Sequence, residues 1–488
     1  MHNSPLHNSE TIIALATPSG IGAIGVIRLS GPDAISLVNE VFAGKDLSIQ
    51  PTHTIHFGTI RDGNQILDEV LISLFIGPKS YTRENVVEIS THGSAFIIES
   101  IIKLLIRKGA RPANPGEFTL RAFLSGQLDL SQAEAVADLI ASNSHASHQV
   151  AMQQMRGGFS GELQHLRDQL IHFASMIELE LDFGEEDVEF ANREDLKRLI
   201  YQINRILHRL ILSFEQGNVM KNGVPVVIAG KPNVGKSTLL NALLNEERAI
   251  VSEIAGTTRD TVEDEMIIGG LRFRFIDTAG IRDTVDIIEA KGVERTHEKI
   301  KQAKLIIYLV DPEQDVKGIE SQITYLKELE IPFLTVVNKK DLVSSEWEKE
   351  LSVVSYQLSD ELSDELSVGS YQLSGREESQ EPKDNKIIFI SAKNKIGIED
   401  LKLSILEKVN LHKINTDDVL ISNIRHLEAL QKTEESLNRV LLNIDNPITS
   451  DFLASDIKQA LYYLGEITGQ VTTDDLLETI FSKFCIGK

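Results

Sequence analysis

Apolar residues recur first at strand-like and helical spacings in turn, then at steps of three and four, then in alternating blocks, and finally at steps of three and four again. In residues 1 to about 125, Thr11–Leu15 and Gly25–Leu29 are predicted strands, joined by the glycine-rich P-S-G-I-G-A-I-G. A short helix fits Ile35, Val38 and Phe42, and strands follow around His53–Ile60, Val70–Ile76 and Val86–Ser90. A helix is predicted over Ala95–Lys108, closed by Gly109. Two prolines in the A-R-P-A-N-P-G stretch force a turn. Ser131-x-x-Glu134 then reads as a capping box opening a helix. Residues 126 to 217 are helical in pattern, with Leu163, Leu166, Leu170, Ala174, Ile177 and Leu181 forming one apolar stripe. The acidic run Gly184–Asp187 interrupts it and reads as a solvated helix end.

From 218 to 409 strands (224–229, 271–276, 305–310, 331–337, 387–391) alternate with helices, the pattern of a doubly wound parallel sheet. Inside this block Leu351–Ser359 recurs as Leu366–Ser374 with one difference, and residues 344–386 read as a mobile acidic surface insertion. Residues 410–488 return to helical spacing. One helix carries Leu427, Leu430, Leu437, Leu441 and Ile444. A second carries Phe452, Ala460, Leu461 and Leu464 and is capped near Gly465 or Gly469. The last carries Leu476, Leu477, Ile480, Phe481 and Phe484. The chain is therefore expected to be multidomain: an α/β N-terminal domain, and a helical domain in two pieces (126–217 and 410–488) with an α/β domain (218–409) inserted between them.

Composition narrows the class. At 488 residues the chain exceeds one ordinary domain, and 42% hydrophobic with 25% charged residues fits a globular protein. No apolar run is long enough to span a bilayer, and the polar start shows no signal-peptide pattern. A single cysteine, Cys485, excludes an intrachain disulfide and fits a reducing cytoplasm. A net charge of −23 argues against gripping nucleic acid over the whole surface, so an RNA substrate would need a local basic patch or a partner carrying one.

The central block carries the chemistry. An apolar strand ends at Gly230, and Gly230-x-x-x-x-Gly235-Lys236-Ser237 leads into a helix marked by Leu239, Leu240, Leu243 and Leu244. Strand, glycine-rich turn and helix make a phosphate loop, here Asn233-Val234-Gly235-Lys236-Ser237-Thr238. Its amides face phosphate, Lys236 reaches the β/γ-phosphates and the Ser237 hydroxyl ligates Mg²⁺. Four signals follow in the order a GTPase requires. Gly256-Thr257-Thr258-Arg259-Asp260 offers a threonine to Mg²⁺ and the γ-phosphate. Asp277-Thr278-Ala279-Gly280 brings a carboxylate near the metal. Asn338-Lys339-Lys340-Asp341 ends in a carboxylate able to accept both N–H groups of guanine's N1/N2 edge, a donor pair adenine lacks. Ser391-Ala392-Lys393 backs the base. Each alone is an ordinary turn; five in order are not. Ile281 stands where a Ras-type enzyme carries its water-orienting glutamine, so that group is sought among Asp283, Asp286 and Glu289.

These motifs, with the upstream P-G-E-F-T-L-R-A-F-L-S-G-Q-L-D-L-S-Q-A-E-A and the final C-I-G-K, closely resemble the MnmE/TrmE family of tRNA-modification GTPases, from about Thr11 to Lys488 with only the insertion uncovered. The resemblance implies a potassium ion in place of an arginine finger, held by Asn233, Ser252, the Ile254 carbonyl and Thr257. It implies Ser237 and Thr258 as Mg²⁺ ligands and Glu289 as the water-orienting residue. It also implies a tetrahydrofolate-binding N-terminal domain similar to the glycine-cleavage T protein, taking 5-formyltetrahydrofolate or a related reduced folate. Arg28, Glu88 and Lys488 match folate contacts, and Gln127 stands where relatives often carry lysine. A lone cysteine among apolar helical positions reads by itself as a small core residue, and a lysine at the end is atypical of a prenylation box. The match to C-x-G-K instead gives Cys485 a chemical role. The implied function is a homodimeric, cytoplasmic GTPase acting with the FAD protein MnmG, as a heterotetramer, on the wobble uridine of certain tRNAs. Folate supplies the carbon and glycine or ammonium the amine. The competing class is a regulatory or ribosome-assembly GTPase without covalent RNA chemistry.

Overall fold

The computed structural model describes residues 10–182, 192–245, 264–276, 300, 302–351, 387–409, 419–444 and 450–487. The chain divides into two compact units. One comprises residues 1–141, 151–212 and 423–488, the other 142–150 and 213–422.

The first unit contains a seven-stranded sheet of order β3-β4-β5-β6-β2-β1-β7. Its strands are β1 (Ile12–Leu15), β2 (Ile24–Ser30), β3 (Phe42–Ala43), β4 (Thr54–Asp62), β5 (Gln65–Phe75), β6 (Val86–His92) and β7 (Arg111–Pro112). All neighbours are antiparallel except β1 and β7. Strand alternation sends Ile27, Leu29, Ile72, Leu74, Val87 and Ile89 to one face, where α1 (Ala34–Val41) and α2 (Ala95–Arg107) cover them. Phe42 leaves the first helix and begins β3. Ile12, Ala14, Ala113 and Phe118 form a smaller cluster with Tyr81.

After the prolines comes a helix the pattern did not announce, α3 (Glu117–Leu124). It starts from Gly116 at φ 67°, where an added Cβ would lie 2.7 Å from the Phe481 carbonyl. The next helix, α4 (Leu130–Ala141), is not opened by Ser131 and Glu134. The reciprocal box is Asp129/Gln132: the Gln132 amide donates to Asp129 Oδ1 at 2.8 Å, and the Asp129 amide to Gln132 Oε1 at 3.0 Å. Both pairs have capping chemistry at the same spacing, and tertiary partners claim the second. Ser131 accepts from Gln154 Nε2, and Glu134 is buried against Arg425 and His426 of a distant helix.

That helix, α11 (Ile424–Asn443), belongs to a bundle with α6 (Gly158–Asp182) and α12 (Ser450–Thr468). The predicted stripe of α6 is buried from Leu163 to Ile177; Leu181 and the acidic run at 184–187 fall outside what can be described. α11 (Ile424–Asn443) buries Leu430, Leu437 and Val440, and Asn423 caps it by accepting from the Arg425 amide. α12 (Ser450–Thr468) runs through Gly465 and ends before Gly469 at φ 81°, while its Phe452 is exposed rather than inward. α13 (Asp474–Phe481), N-capped by Thr473, packs Leu477 and Phe481 on Leu130 and Ala133 of α4, joined by Phe484 from the turn after it.

The second unit holds a six-stranded sheet of order β13-β12-β11-β8-β10-β9. β8 (Val224–Ala229), β10 (Leu271–Phe275), β11 (Leu305–Val310), β12 (Phe333–Val337) and β13 (Ile388–Phe389) are parallel. β9 (Asp264–Ile268) adds an antiparallel edge, so the sheet is mixed. Every residue of β11 is buried, as expected of a strand covered on both faces. One face packs on α8 (Lys236–Asn245) and α10 (Ile398–Lys408), the other on α9 (Val316–Glu328). The start of the expected surface insertion joins the second face. Residues 345–351 are helical, Leu351 is fully buried, and Trp347 Nε1 donates to the Gln314 carbonyl at 3.1 Å. The rest of the repeat, 352–386, falls outside the described residues. α5 (His145–Met155) and α7 (Arg193–Asn222) each contribute to both units. No described helix is long and apolar enough to cross a membrane.

Candidate nucleotide site

The site forms at the C-terminal ends of the parallel strands, where backbone loops leave the sheet. β8 stops at Gly230, whose φ of 148° and whose position 2.2 Å (as a Cβ) from the Leu309 carbonyl admit only glycine. The loop then turns through Asn233 at φ 62° and Gly235 at φ 103°. An added Cβ at Gly235 would meet Asn338 Nδ2 at 2.3 Å, so this glycine lets a second loop approach the first. α8 begins at once with Lys236. Its ammonium crosses the loop and donates to the carbonyls of Gly230 at 2.7 Å and Lys231 at 3.0 Å. Val234 is buried in the core, whereas Asn233, Ser237 and Thr238 are exposed along the loop and first turn.

Asn338, after β12, is the buried tie of this edge. Its Nδ2 donates to the Val234 carbonyl at 2.8 Å and its Oδ1 accepts from the Ala392 amide at 2.9 Å, joining the loops after β8, β12 and β13. Lys339 adopts φ 58°, and its Nζ donates to Asp311 Oδ2 at 2.7 Å. Asp341 Oδ1 accepts from Ser391 Oγ at 2.7 Å. That hydrogen bond first, and the charge of exposed Lys393 last, hold the Asp341 carboxyl below its usual range, so it is an ionised acceptor at neutral pH. Structure thus brings Asn233 to Thr238, Asn338, Lys339, Asp341 and Ser391 to Lys393 to one sheet edge. Ser252, Ile254, Thr257, Thr258, Asp277 to Gly280 and Glu289 lie outside the described residues. Asp311 was not singled out in the sequence, although a lone aspartate directly after the apolar L-I-I-Y-L-V strand was a visible signal.

A second polar group sits on the N-terminal sheet. Arg28 and Glu88 are register partners on β2 and β6, and Arg28 donates to Glu88 through Nε at 2.9 Å and Nη2 at 2.8 Å. The guanidinium lies 5.8 Å from the Tyr81 ring centre and 5.7 Å from that of Phe118. Burial pushes the Tyr81 phenol up, and its OH bonds Thr119 at 3.0 Å. Gln127 is not in this group; its Oε1 accepts from Arg83 instead. Gly487 approaches the end of β1. The Gly116 amide donates to the carbonyl of exposed Cys485 at 3.5 Å, and a Cβ on Gly487 would lie 2.1 Å from the Leu15 carbonyl. Leu15 is one residue from Ala14, the register partner of Arg28. Lys488 lies outside the described residues.

A glycine loop enclosing its own lysine, tied through one asparagine to two base-side loops on a mainly parallel sheet, defines a P-loop protein of the GTPase class. Two family models match the chain: MnmE helical domain over residues 130–485, and GTP-binding protein TrmE N-terminus over residues 11–127. A tRNA modification GTPase MnmE from Cytophaga hutchinsonii is 55% identical over 483 residues, spanning 99% of this chain and 98% of the relative. Those of Christiangramia forsetii (54% over 491 residues; 98% and 99%) and Bacteroides thetaiotaomicron (48% over 492; 99% and 100%) match over similar lengths. The chain belongs to the MnmE family of tRNA modification GTPases.

Proposed function

We propose that this protein, a GTP hydrolase acting in tRNA modification, couples hydrolysis to adding a carboxymethylaminomethyl or aminomethyl group to carbon 5 of the wobble uridine in certain tRNAs. The observation that carries the guanine choice is the ionised Asp341, presented beside Ser391 on the edge that bears the phosphate loop. Its two oxygens accept the N1/N2 donor pair, and inverting that pair would repel it. On the phosphate side the loop amides and Lys236 stabilise negative charge on the transferred phosphoryl group, which is where such an enzyme gains most of its rate. The exposed Ser237 hydroxyl at the head of α8 suits a Mg²⁺ ligand, with Thr258 as its partner. Asn233, exposed at the loop's crest, suits a potassium ligand beside Ser252, the Ile254 carbonyl and Thr257. Mg²⁺ and K⁺ would supply positive charge to the phosphate oxygens and to the β–γ bridge. Glu289 is assigned to orienting water.

For the one-carbon unit, the Arg28–Glu88 pair, with Tyr81 and Phe118 beside the guanidinium, suits the polar edge and flat ring of a reduced folate such as 5-formyltetrahydrofolate. Lys488 and Gln127 are assigned to that site by family position, although Gln127 accepts from Arg83 outside the Arg28–Glu88 group. Cys485, which is exposed, is assigned to the RNA chemistry. A homodimer acting with the FAD protein MnmG fits a chain whose net charge of −23 leaves much of the RNA grip to a partner. Hydrolysis rates in potassium and sodium at equal ionic strength should differ widely, and Glu289→Ala should lower kcat by on the order of 100-fold with GTP binding kept. Equal rates in the two salts would remove the potassium assignment. A folate titration separates this reading from a purely regulatory GTPase, which has no use for folate.

A further inference from the structure

One buried carboxylate at the nucleotide edge is used by none of the roles assigned so far. Asp311 directly follows β11 and is 5% exposed. Its Oδ1 accepts from the Glu313 amide at 3.2 Å, its carbonyl accepts from the Gln314 amide at 3.1 Å, and its Oδ2 accepts from Lys339 Nζ at 2.7 Å. The short turn 311–314 thus fixes the carboxylate, and the carboxylate fixes the lysine. As a source of stability such a pair is a poor choice, because the Lys339 side chain is 29% exposed and solvent screens the attraction. Its value lies in geometry. Lys339 stands between Asn338, which ties the loops, and Asp341, which offers the base acceptor. Its backbone is in the left-handed region at φ 58°. With the ammonium anchored on Asp311, the four-carbon stem is held at both ends, by that carboxylate and by the backbone after β12. A free lysine would have to give up that rotamer freedom when the nucleotide binds.

We propose that Asp311 is a positioning residue for the guanine nucleotide: by holding the Lys339 ammonium it pre-orders the Lys339 stem as the apolar platform on which the base plane rests. This rests on the assignment of Asp341 to the guanine edge. Asp311 touches the base nowhere and acts only through Lys339. The Asp311 hydrogen bond also raises the Lys339 pKa, in keeping with an ammonium that is stabilised by this carboxylate.

The test measures dissociation of fluorescent GDP and of a non-hydrolysable GTP analogue from the full chain. Asp311→Asn keeps the shape and an acceptor for the Glu313 amide. It should weaken both nucleotides by about tenfold, which corresponds to about 1.4 kcal/mol, mainly through faster release. The loss should be equal for the two, because the γ-phosphate side is untouched. Lys339→Met retains a stem but no ammonium, and should cost a similar factor. In its background Asp311→Asn should add nothing, since neighbours acting through one another are not additive. Unchanged affinity in Asp311→Asn overturns the proposal. So does an undiminished effect of Asp311→Asn in the Lys339→Met background, or a loss confined to the GTP analogue. Asp341→Asn with xanthosine nucleotides runs alongside. If it fails to shift preference toward xanthine, the guanine-edge reading itself falls. If it shifts while Asp311→Asn is silent, only the present inference falls. If Asp311→Asn proves unfolded by circular dichroism, Lys339→Arg against Lys339→Met decides: an arginine still paired with Asp311 should retain affinity, and equal loss in both overturns the proposal.

Discussion

Glu134 shows how single residues are held in this molecule. Burial alone would push its carboxyl up. The hydrogen bond and charge of His426, together with Arg425, outweigh that and hold it down at about 2. Arg425 reaches both Glu134 oxygens at 3.0 Å and spends its remaining donors on the carbonyls of Glu466 and Ile467 at the end of α12; His426 Nε2 lies 2.8 Å from Glu134 Oε2. A carboxyl depressed in the fold stabilises it above its unfolded pKa, and that contribution is lost as pH falls toward the folded value. Between about pH 4.5 and 2 the junction of α4 and α11 should therefore lose on the order of 3 kcal/mol. Hydrogen exchange of α4 and α11 amides should show parent and Glu134→Gln differing strongly at pH 6 and converging as pH drops. Parallel pH curves would mean the ion pair does not set the stability of this junction.

Among the elements, what was legible in the sequence is what the backbone dictates locally. The β8–loop–α8 unit was readable because strand, glycines at forced positive φ and helix follow one another within about twenty residues. The apolar stripe of α6 and the fully apolar β11 were readable from period alone. The elements missed were those whose signal is short or duplicated. β9 is five residues of D-E-M-I-I at an antiparallel edge, and α3 sits where prolines suggest only a turn. The α4 cap was misplaced because D-L-S-Q and S-Q-A-E both have box chemistry, and only partners far along the chain, such as Arg425, decide between them. The same holds for Asp311 and Lys339, 28 residues apart with no periodic relation. The acidic insertion divides at Leu351. Leu351→Ala should cost the nucleotide unit about 2–5 kcal/mol as a large-to-small change in a full core. Replacing residues 352–380 with a short Gly/Ser linker should leave GTPase activity within a small factor. A collapse of soluble expression on that replacement would show that the repeat packs on the domain.

At the scale of the whole molecule, the family assignment and the two polar sites converge on one demand. A guanine-selective phosphate loop alone would serve any switch, whereas the proposed function gives the Arg28–Glu88 pair and the exposed Cys485 a part in covalent chemistry on RNA. Cys485→Ser alters one exposed atom and leaves the Leu477, Phe481 and Phe484 packing in place, so folding and GTP hydrolysis should survive it. A hydroxyl is far less acidic and less nucleophilic than a thiol near neutral pH, so the RNA chemistry should not survive. The most direct measurement is mass analysis of wobble nucleosides in tRNA from cells lacking this protein, complemented with the parent gene or with Cys485→Ser. The account predicts modified wobble uridine restored by the parent, little or none with Cys485→Ser, and undiminished GTPase activity of that variant. Wobble uridine equally modified with and without the protein would contradict the proposed function.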